Sequence, residues 1–352
     1  RQVGKTTLIK DLIKKLSYKT LSINADEQKY NEVLSSKDFQ KIRSLVSGYE
    51  LLFIDEAQKI PEIGINLKIL IDQMPQLKII ATGSSSFDLA NKVNEPLTGR
   101  AWNYTLYPIA FVELKEIYND FELKSQLEER LVYGSYPEIF SLENNQLKLE
   151  YLQNLSTSYL YKDILELATI KHSNKLKDLL KLLAFQIGNQ VSISELANSL
   201  DISKSAVANY IDLLEKTFVI FRMSGLSRNL RKEVSKMDKI YFYDLGIRNI
   251  VIDNLKNLND RNDVGQLWEN FLIIERLKLL NYKLIPASGY FWRLHTGVEL
   301  DYVEEREGSL YGYEFKYGKK NPKAPKIWKE TYENSEFELI NRENFLDFLL
   351  KK

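Results

Sequence analysis

Gly4, Lys5 and Thr6 are the first residues whose types and spacing suggest chemistry. The stretch Arg1-Gln2-Val3-Gly4-Lys5-Thr6-Thr7 matches the back half of the phosphate-binding pattern G-x-x-x-x-G-K-[ST]. In that pattern the glycine makes a tight turn, and backbone N–H groups from Val3 to Thr7 would face phosphate oxygens. Lys5 would reach the β- and γ-phosphates, and Thr6 would offer its hydroxyl to Mg2+. The acids that complete such a site follow in Leu51-Leu52-Phe53-Ile54-Asp55-Glu56. An apolar run ending in two carboxylates predicts a buried strand with acids at its C-terminal tip, the edge where open α/β sheets bind ligands. Asp55 is expected to hold Mg2+ through water, and Glu56 to orient or deprotonate an attacking water. Two further residues fit the same chemistry. Ser84 could touch the γ-phosphate or the attacking water, although a serine-rich turn also caps helices. Arg100 could stabilise charge on the transferring phosphoryl group, in cis or toward a neighbouring subunit of a homo-oligomer, and equally could be a surface arginine.

A second constellation lies near the C-terminus. Strand alternation over Val298–Val303 and Leu310–Tyr317, joined by a turn at Glu307-Gly308, predicts a hairpin. Its faces follow from the two-residue period. Glu299, Asp301 and Val303 share one face with Gly312, Glu314 and Lys316. Leu300 and Tyr302 share the other with Tyr313, Phe315 and Tyr317. Asp301, Glu314 and Lys316 can therefore converge, and Glu269 on a preceding helix could join them. Carboxylates at Glu269, Asp301 and Glu314 beside Lys316 could hold Mg2+ and orient a water for phosphodiester attack. The same residues would also serve as a salt-bridge face. Lys316, Lys319, Lys320, Lys323, Lys326 and Lys329 then form a basic run suited to phosphates.

These residues need elements to position them. Leu8, Ile9, Leu12, Ile13 and Leu16 recur at helical spacing behind the loop, placing it at a helix N-terminus, where an anion is favoured. A strand over Lys19–Asn24, helical pattern over Tyr30–Val46, the acid-tipped strand, a helix near Ile65–Gln73 and a strand over Leu77–Thr82 predict a parallel sheet with helices on both faces. Phe111–Tyr133 reads as a helical lid. Val191–Leu200 and Ser203–Leu214 read as a helix-turn-helix, with strands near Val219–Met223 and Lys239–Tyr243 as a wing. Six basic residues occur from Arg222 to Lys239, namely Arg222, Arg228, Arg231, Lys232, Lys236 and Lys239. They fit a wing on a DNA backbone, or a packing module with an exposed basic face.

Composition sets limits. With no cysteine among 352 residues there are no disulfides or thiolate metal sites, and two histidines exclude a multi-histidine centre. A metal must be held by oxygen, which suits Mg2+. A net charge of +1 argues against a uniformly basic nucleic-acid coat but not against local patches. No apolar run approaches the length of a membrane span, so a cytoplasmic protein with no membrane partner is expected.

Taken together, Arg1–Thr7, Phe53-Ile54-Asp55-Glu56-Ala57-Gln58, Thr82-Gly83-Ser84-Ser85, Leu97–Arg100, Tyr136-Pro137-Glu138, Trp268-Glu269-Asn270 and Glu314-Phe315-Lys316 resemble a family of bacterial and archaeal ATP-binding proteins. In that family an AAA+-like P-loop ATPase is joined to a C-terminal domain of unknown function. The resemblance implies an α/β fold in four parts: an ATPase core over 1–106, a helical lid and connector over 107–170, a winged helix over 171–257 and a restriction-endonuclease-like domain of the PD-(D/E)XK type over 258–352. It implies Mg2+-dependent hydrolysis of ATP, coupled to DNA through backbone contacts of low sequence specificity. Glu269, Asp301, Glu314 and Lys316 match the nuclease-type positions. Two alternatives are a signalling or defence switch whose last domain docks a partner, and a DNA-binding module with a vestigial ATPase. The first glycine of the loop and its strand would precede residue 1, so truncation inside the motif and weakened nucleotide affinity are expected.

Overall fold

Short apolar runs alternating with amphipathic helices build a parallel sheet in the N-terminal third of the chain. The computed structural model describes residues 2–83, 97–160, 173–228, 237–318 and 322–350. The chain divides into two compact units, Arg1–Leu106 with Lys216–Phe218, and Tyr107–Glu215 with Val219–Lys352.

In the first unit α1 (Lys5–Lys15), β1 (Thr20–Asn24), α2 (Gln28–Leu34), α3 (Phe39–Val46), β2 (Leu51–Asp55), α4 (Ile63–Gln73) and β3 (Lys78–Ala81) follow in order. The strands lie β1-β2-β3, all parallel, with Ile23 opposite Ile54 and Ile54 opposite Ala81. The central strand β2 is buried from Leu51 to Ile54, as a strand covered on both faces must be. Its core partners include Ile42 and Val46 of α3 and Leu67 and Leu70 of α4. The helical pattern over Tyr30–Val46 is two helices rather than one. Lys37 takes a left-handed φ of 54°, and the Asp38 carboxylate then accepts from the backbone N–H of Gln40 and Lys41 at 2.9 and 3.3 Å. That side chain starts α3 afresh.

The second unit begins with α5 (Phe111–Leu114), α6 (Asp120–Tyr133), α7 (Pro137–Ser141), α8 (Asn145–Asn154) and a π-helical turn, Leu155–Leu160. It continues with α9 (Ser173–Phe185), α10 (Ile193–Leu200), α11 (Lys204–Lys216), the antiparallel pair β4 (Ile220–Met223) and β5 (Lys239–Phe242), and α12 (Leu245–Val251). The long α13 (Val264–Tyr282) precedes β6 (Ser288–Arg293), β7 (Glu299–Arg306), β8 (Ser309–Phe315), α14 (Lys326–Thr331), β9 (Ser335–Ile340) and α15 (Phe345–Leu350). The sheet order is β6-β7-β8-β9, antiparallel except for the parallel pair β8 and β9. Residues buried on nearly every side of α13 make it a central helix rather than a surface one.

Two glycines allow close packing at the end of α6. Gly134 has a φ of 75°, and a Cβ there would lie 2.1 Å from Asp244 Oδ1. A Cβ on Gly246 would lie 2.2 Å from the Tyr133 carbonyl oxygen. Asp244 accepts from the N–H of Ser135 at 2.7 Å and of Ile247 at 3.1 Å, while Asn249 donates to the carbonyls of Leu131 and Val132. Asp263 binds Arg248 and Arg261, both almost wholly buried, and those guanidinium groups hold its carboxyl down at about 2 against the opposing effect of burial.

The strands β4 and β5 are built into the second unit. All of β5 is buried, Leu226 donates to the Phe291 carbonyl at 2.7 Å, and Phe291 donates to the Ser224 carbonyl at 3.2 Å. These bonds lash the hairpin to β6. Strict alternation also fails on β7. Tyr290 faces Val303 while Trp292 faces Leu300, so a step of two on β6 meets a step of three on β7. The bulge separates Leu300 from Tyr302. Leu300 packs with Val303, Trp292 and Trp328, whereas Tyr302 packs with Tyr313 and Phe315 in the other cluster. One extra residue reverses the facing of every side chain beyond it, which corrects the shared face predicted for Leu300 and Tyr302. Among the described residues no helix is long and apolar enough to cross a membrane.

Candidate functional site

Gly4 caps α1 with a φ of 88°, and a Cβ there would meet nothing within 4 Å. Backbone conformation, not crowding, therefore calls for glycine at this turn. The turn delivers Lys5, Thr6 and Thr7 to the first turn of α1, where unpaired backbone N–H groups favour an anion. Thr6 Oγ1 donates to Asp55 Oδ2 at 2.7 Å. The loop and the acid-tipped strand thus meet as their spacing suggested. Donation to Asp55 leaves the hydroxyl's lone pairs available to a hard cation, so Thr6 and Asp55 fit Mg2+ by donor type.

Thr82 was not legible from the sequence as a site residue. It follows β3, whose register places it beside Asp55. Its Oγ1 donates to Asp55 Oδ1 at 2.5 Å, and its backbone N–H donates to the Ile54 carbonyl at 2.9 Å. The sequence signals were a polar residue at the end of the neighbouring apolar strand and its place in the segment Thr82-Gly83-Ser84-Ser85, neither of which gives it a role. Glu56 follows with a left-handed φ of 55°, a conformation that side chains other than glycine adopt at a cost of about 1–3 kcal/mol. Gln58 Nε2 donates to Glu56 Oε2 at 2.6 Å and fixes that carboxylate. Arg100 is paired with Asp72 at 3.1 Å. Ser84 lies outside the described residues.

In the second unit the four residues assembled from sequence fall into two groups. Glu269 on α13 accepts at Oε1 from Lys239 Nζ at 3.1 Å and from Tyr241 Oη at 2.5 Å. Lys239 and Tyr241, both on β5, had not been read as partners of Glu269. The adjacent Asn270 satisfies both backbone groups of Phe242, accepting from its N–H at 2.8 Å and donating to its carbonyl at 2.9 Å. Glu269-Asn270 is thus a tether between α13 and β5. Asp301, Glu314 and Lys316 form the other group. Phe315 N donates to Asp301 Oδ2 at 2.8 Å, and Lys316 Nζ lies 2.5 Å from Glu314 Oε1 and 3.9 Å from Asp301 Oδ2. Among the described residues no three carboxylate or imidazole side chains are gathered as metal ligands. Glu269 Oε1 is shared by an ammonium and a phenol, while its carboxyl still feels the charge of Asp301.

The described basic residues of the hairpin are engaged. Arg222 binds Glu215, Arg228 binds Glu305 at 2.6 Å, and Lys239 is buried against Glu269. Arg231, Lys232 and Lys236 lie outside the described residues, as do Lys319 and Lys320. Lys323, Lys326 and Lys329 are exposed.

Electrostatics follow from burial. Burial pushes the Glu269 carboxyl up to about 7, Asp301 adds to the rise, and Lys239 and Tyr241 oppose it. Burial likewise raises Asp301 and Glu314. Burial pulls Lys316 down, but its bond to Glu314 and the charges of Asp301 and Glu314 outweigh this and hold it above the ordinary lysine value. Between the ordinary 4.5 and about 7 the folded chain keeps a proton on Glu269 that the unfolded chain has released. Stability must fall as pH rises through that window. Glu269→Gln cannot ionise, so its urea-unfolding free energy should lose less than wild type between about pH 5 and about pH 8, by up to roughly 3 kcal/mol. Equal losses would show that Glu269 is ionised throughout.

Comparison with known proteins agrees with this layout. Residues 1–115 match the AAA domain, residues 124–259 a domain of unknown function (DUF8612), and residues 264–344 another (DUF4143). The uncharacterized protein Rv2008c of Mycobacterium tuberculosis is 30% identical over 321 residues, which span 90% of this chain and 68% of the relative. Mb2031c of Mycobacterium bovis matches to the same extent. The archaeal MJ1544 of Methanocaldococcus jannaschii is 26% identical over 322 residues, spanning 86% of this chain and 70% of its own. With a parallel sheet carrying the AAA domain and DUF4143 at its C-terminal end, the chain belongs to the same family as Rv2008c and Mb2031c, an AAA-like ATPase family with a C-terminal domain of unknown function.

Proposed function

We propose that the first unit binds ATP with Mg2+ and hydrolyses it. The observation that carries this reading is the hydrogen bond from Thr6 to Asp55, with Thr82 on the other oxygen of the same carboxylate. Val3 to Thr7 would receive the phosphates on backbone N–H groups, and Lys5 would bind the β- and γ-phosphates. Thr6 would hold Mg2+ by its hydroxyl and Asp55 through water. The bound cation would supply neutralising charge at the phosphates. Glu56, steadied by Gln58, would accept a proton from the attacking water. Arg100, paired with Asp72 through Nε, would add charge at the phosphates in cis or toward a neighbouring subunit. Lys5→Ala should abolish turnover, since each charge-assisted lysine–phosphate bond is worth about 1.5–3 kcal/mol. Glu56→Gln should bind ATP as wild type does and fail to hydrolyse it. Single-turnover assays beside binding titrations test both, and normal turnover in Glu56→Gln would remove that carboxylate from the chemistry.

We infer further that the second unit contacts a DNA backbone with little sequence preference. Exposed Lys323, Lys326 and Lys329 support this reading, spaced three apart along and just before α14. The acid-x-lysine element Glu314-Phe315-Lys316, with Asp301 beside it, supports a nuclease-like ancestry for the sheet. About three phosphate contacts would make log affinity fall against log salt with a slope near −3. Replacing the three lysines by alanine should flatten that slope. No DNA binding at low salt would favour a switch whose last domain docks another partner.

A further inference from the structure

We propose that the second unit holds a binding cavity for a small, uncharged, planar aromatic molecule, between α13 and the β4–β5 hairpin. The inference stands apart from the nucleotide reading. The cavity measures about 360 Å3. That is within the range of small-molecule sites and suits one or two fused rings. Tyr107, Phe221 and Tyr243 form one wall, and Ile273, Leu277 and Leu280 of α13 form the other.

The aromatic wall is continuous. Tyr107 stacks on Tyr243 with ring centres 5.8 Å apart and 19° between planes, and Phe221 lies 5.4 Å from Tyr243. It is also held in place. The Tyr107 backbone N–H donates to Tyr282 Oη at 3.0 Å, and the same two rings meet 5.8 Å apart. On the sheet side, Gly289 and Tyr302 complete the lining, and a Cβ on Gly289 would come within 2.9 Å of the Tyr302 ring. Glycine here lets the ring of Tyr302 sit against the backbone of β6. A flat ligand would meet a preformed aromatic wall rather than a space to be opened.

Charge narrows the ligand class. Arg222 is the charged residue among the described lining, and Glu215 takes its Nε at 2.8 Å and its Nη2 at 2.5 Å. The guanidinium charge is already balanced, so the cavity does not select an anion. Burial pushes the Tyr243 phenol up, which keeps it un-ionised at neutral pH. The exposed Asn281 at the mouth offers an amide to a ring N–H or carbonyl. An uncharged heteroaromatic ring with one polar edge matches this set better than a hydrocarbon or a carboxylate.

Titration of the full chain with indole, followed by calorimetry and by ligand-observed NMR, tests the proposal. Indole should bind at one saturable site. Cyclohexanol, which has a polar group but no flat face, should bind at least about tenfold more weakly. Ala287→Trp places a large side chain at the mouth and should weaken indole by at least about tenfold. Tyr243→Leu removes the central ring of the aromatic wall without filling the space and should weaken it in the same direction, so the test survives if one variant fails to fold. No saturable indole binding, equal binding of cyclohexanol, or undiminished binding in a folded variant would overturn the proposal.

Discussion

One carboxylate joins three elements of the first unit. Asp55 receives Thr6 on one oxygen and Thr82 on the other, so a single side chain ties the start of α1 to the ends of β2 and β3. Hydrogen bonds to a carboxylate are worth about 1.5–3 kcal/mol each. The geometry depends on β2 being central and parallel to both neighbours, because only then do three C-terminal ends meet. Burial of Leu51–Ile54 fixes the strand's position, and the strand's end then fixes the acid. The strained backbone at Glu56 fits the same picture, since the chain must turn sharply to leave Asp55 and Glu56 at the edge.

The second unit depends on a different constraint, a helix buried along most of its length. Because α13 is buried on nearly every side, each polar residue on it needs a partner. Glu269 takes Lys239 and Tyr241, Asn270 takes the backbone of Phe242, and Arg276 takes Glu304 with two bonds at 2.8 and 2.9 Å. These pairs hold the hairpin on one side of the helix and the sheet on the other. Removing one partner of a buried charged pair costs about 3–5 kcal/mol, more than the intact pair contributes, which makes such pairs better at specifying one arrangement than at adding stability. The Glu269-Asn270 part of the motif thereby ties α13 to β5.

Much of this was legible in the sequence, and the gaps have physical causes. The acid-tipped strand could be read because burial on both faces demands a continuous apolar run. The turn at Glu307-Gly308 could be read because both residues adopt left-handed φ values, 49° and 81°, that turn chemistry favours. Thr82 could not be found, since its role comes from the register between β2 and β3. Lys239 and Tyr241 could not be paired with Glu269 because the packing of β5 on α13 leaves no mark on the periodicity of either segment. The bulge in β7 was hidden because period-two reading assumes no extra residue. The role of Asp244, Gly246 and Asn249 in seating the end of α6 was likewise invisible, as it depends on two backbones approaching where only glycine fits.

The central claim is that Thr6 and Asp55 together form the cation end of a nucleotide site. The most direct measurement is the affinity of the full chain for a non-hydrolysable ATP analogue, titrated with Mg2+ and again with a chelator. Affinity should drop by at least about tenfold on chelation in wild type, and the drop should shrink in Asp55→Ala. An affinity indifferent to Mg2+, or a Mg2+ dependence unchanged in Asp55→Ala, would contradict the account.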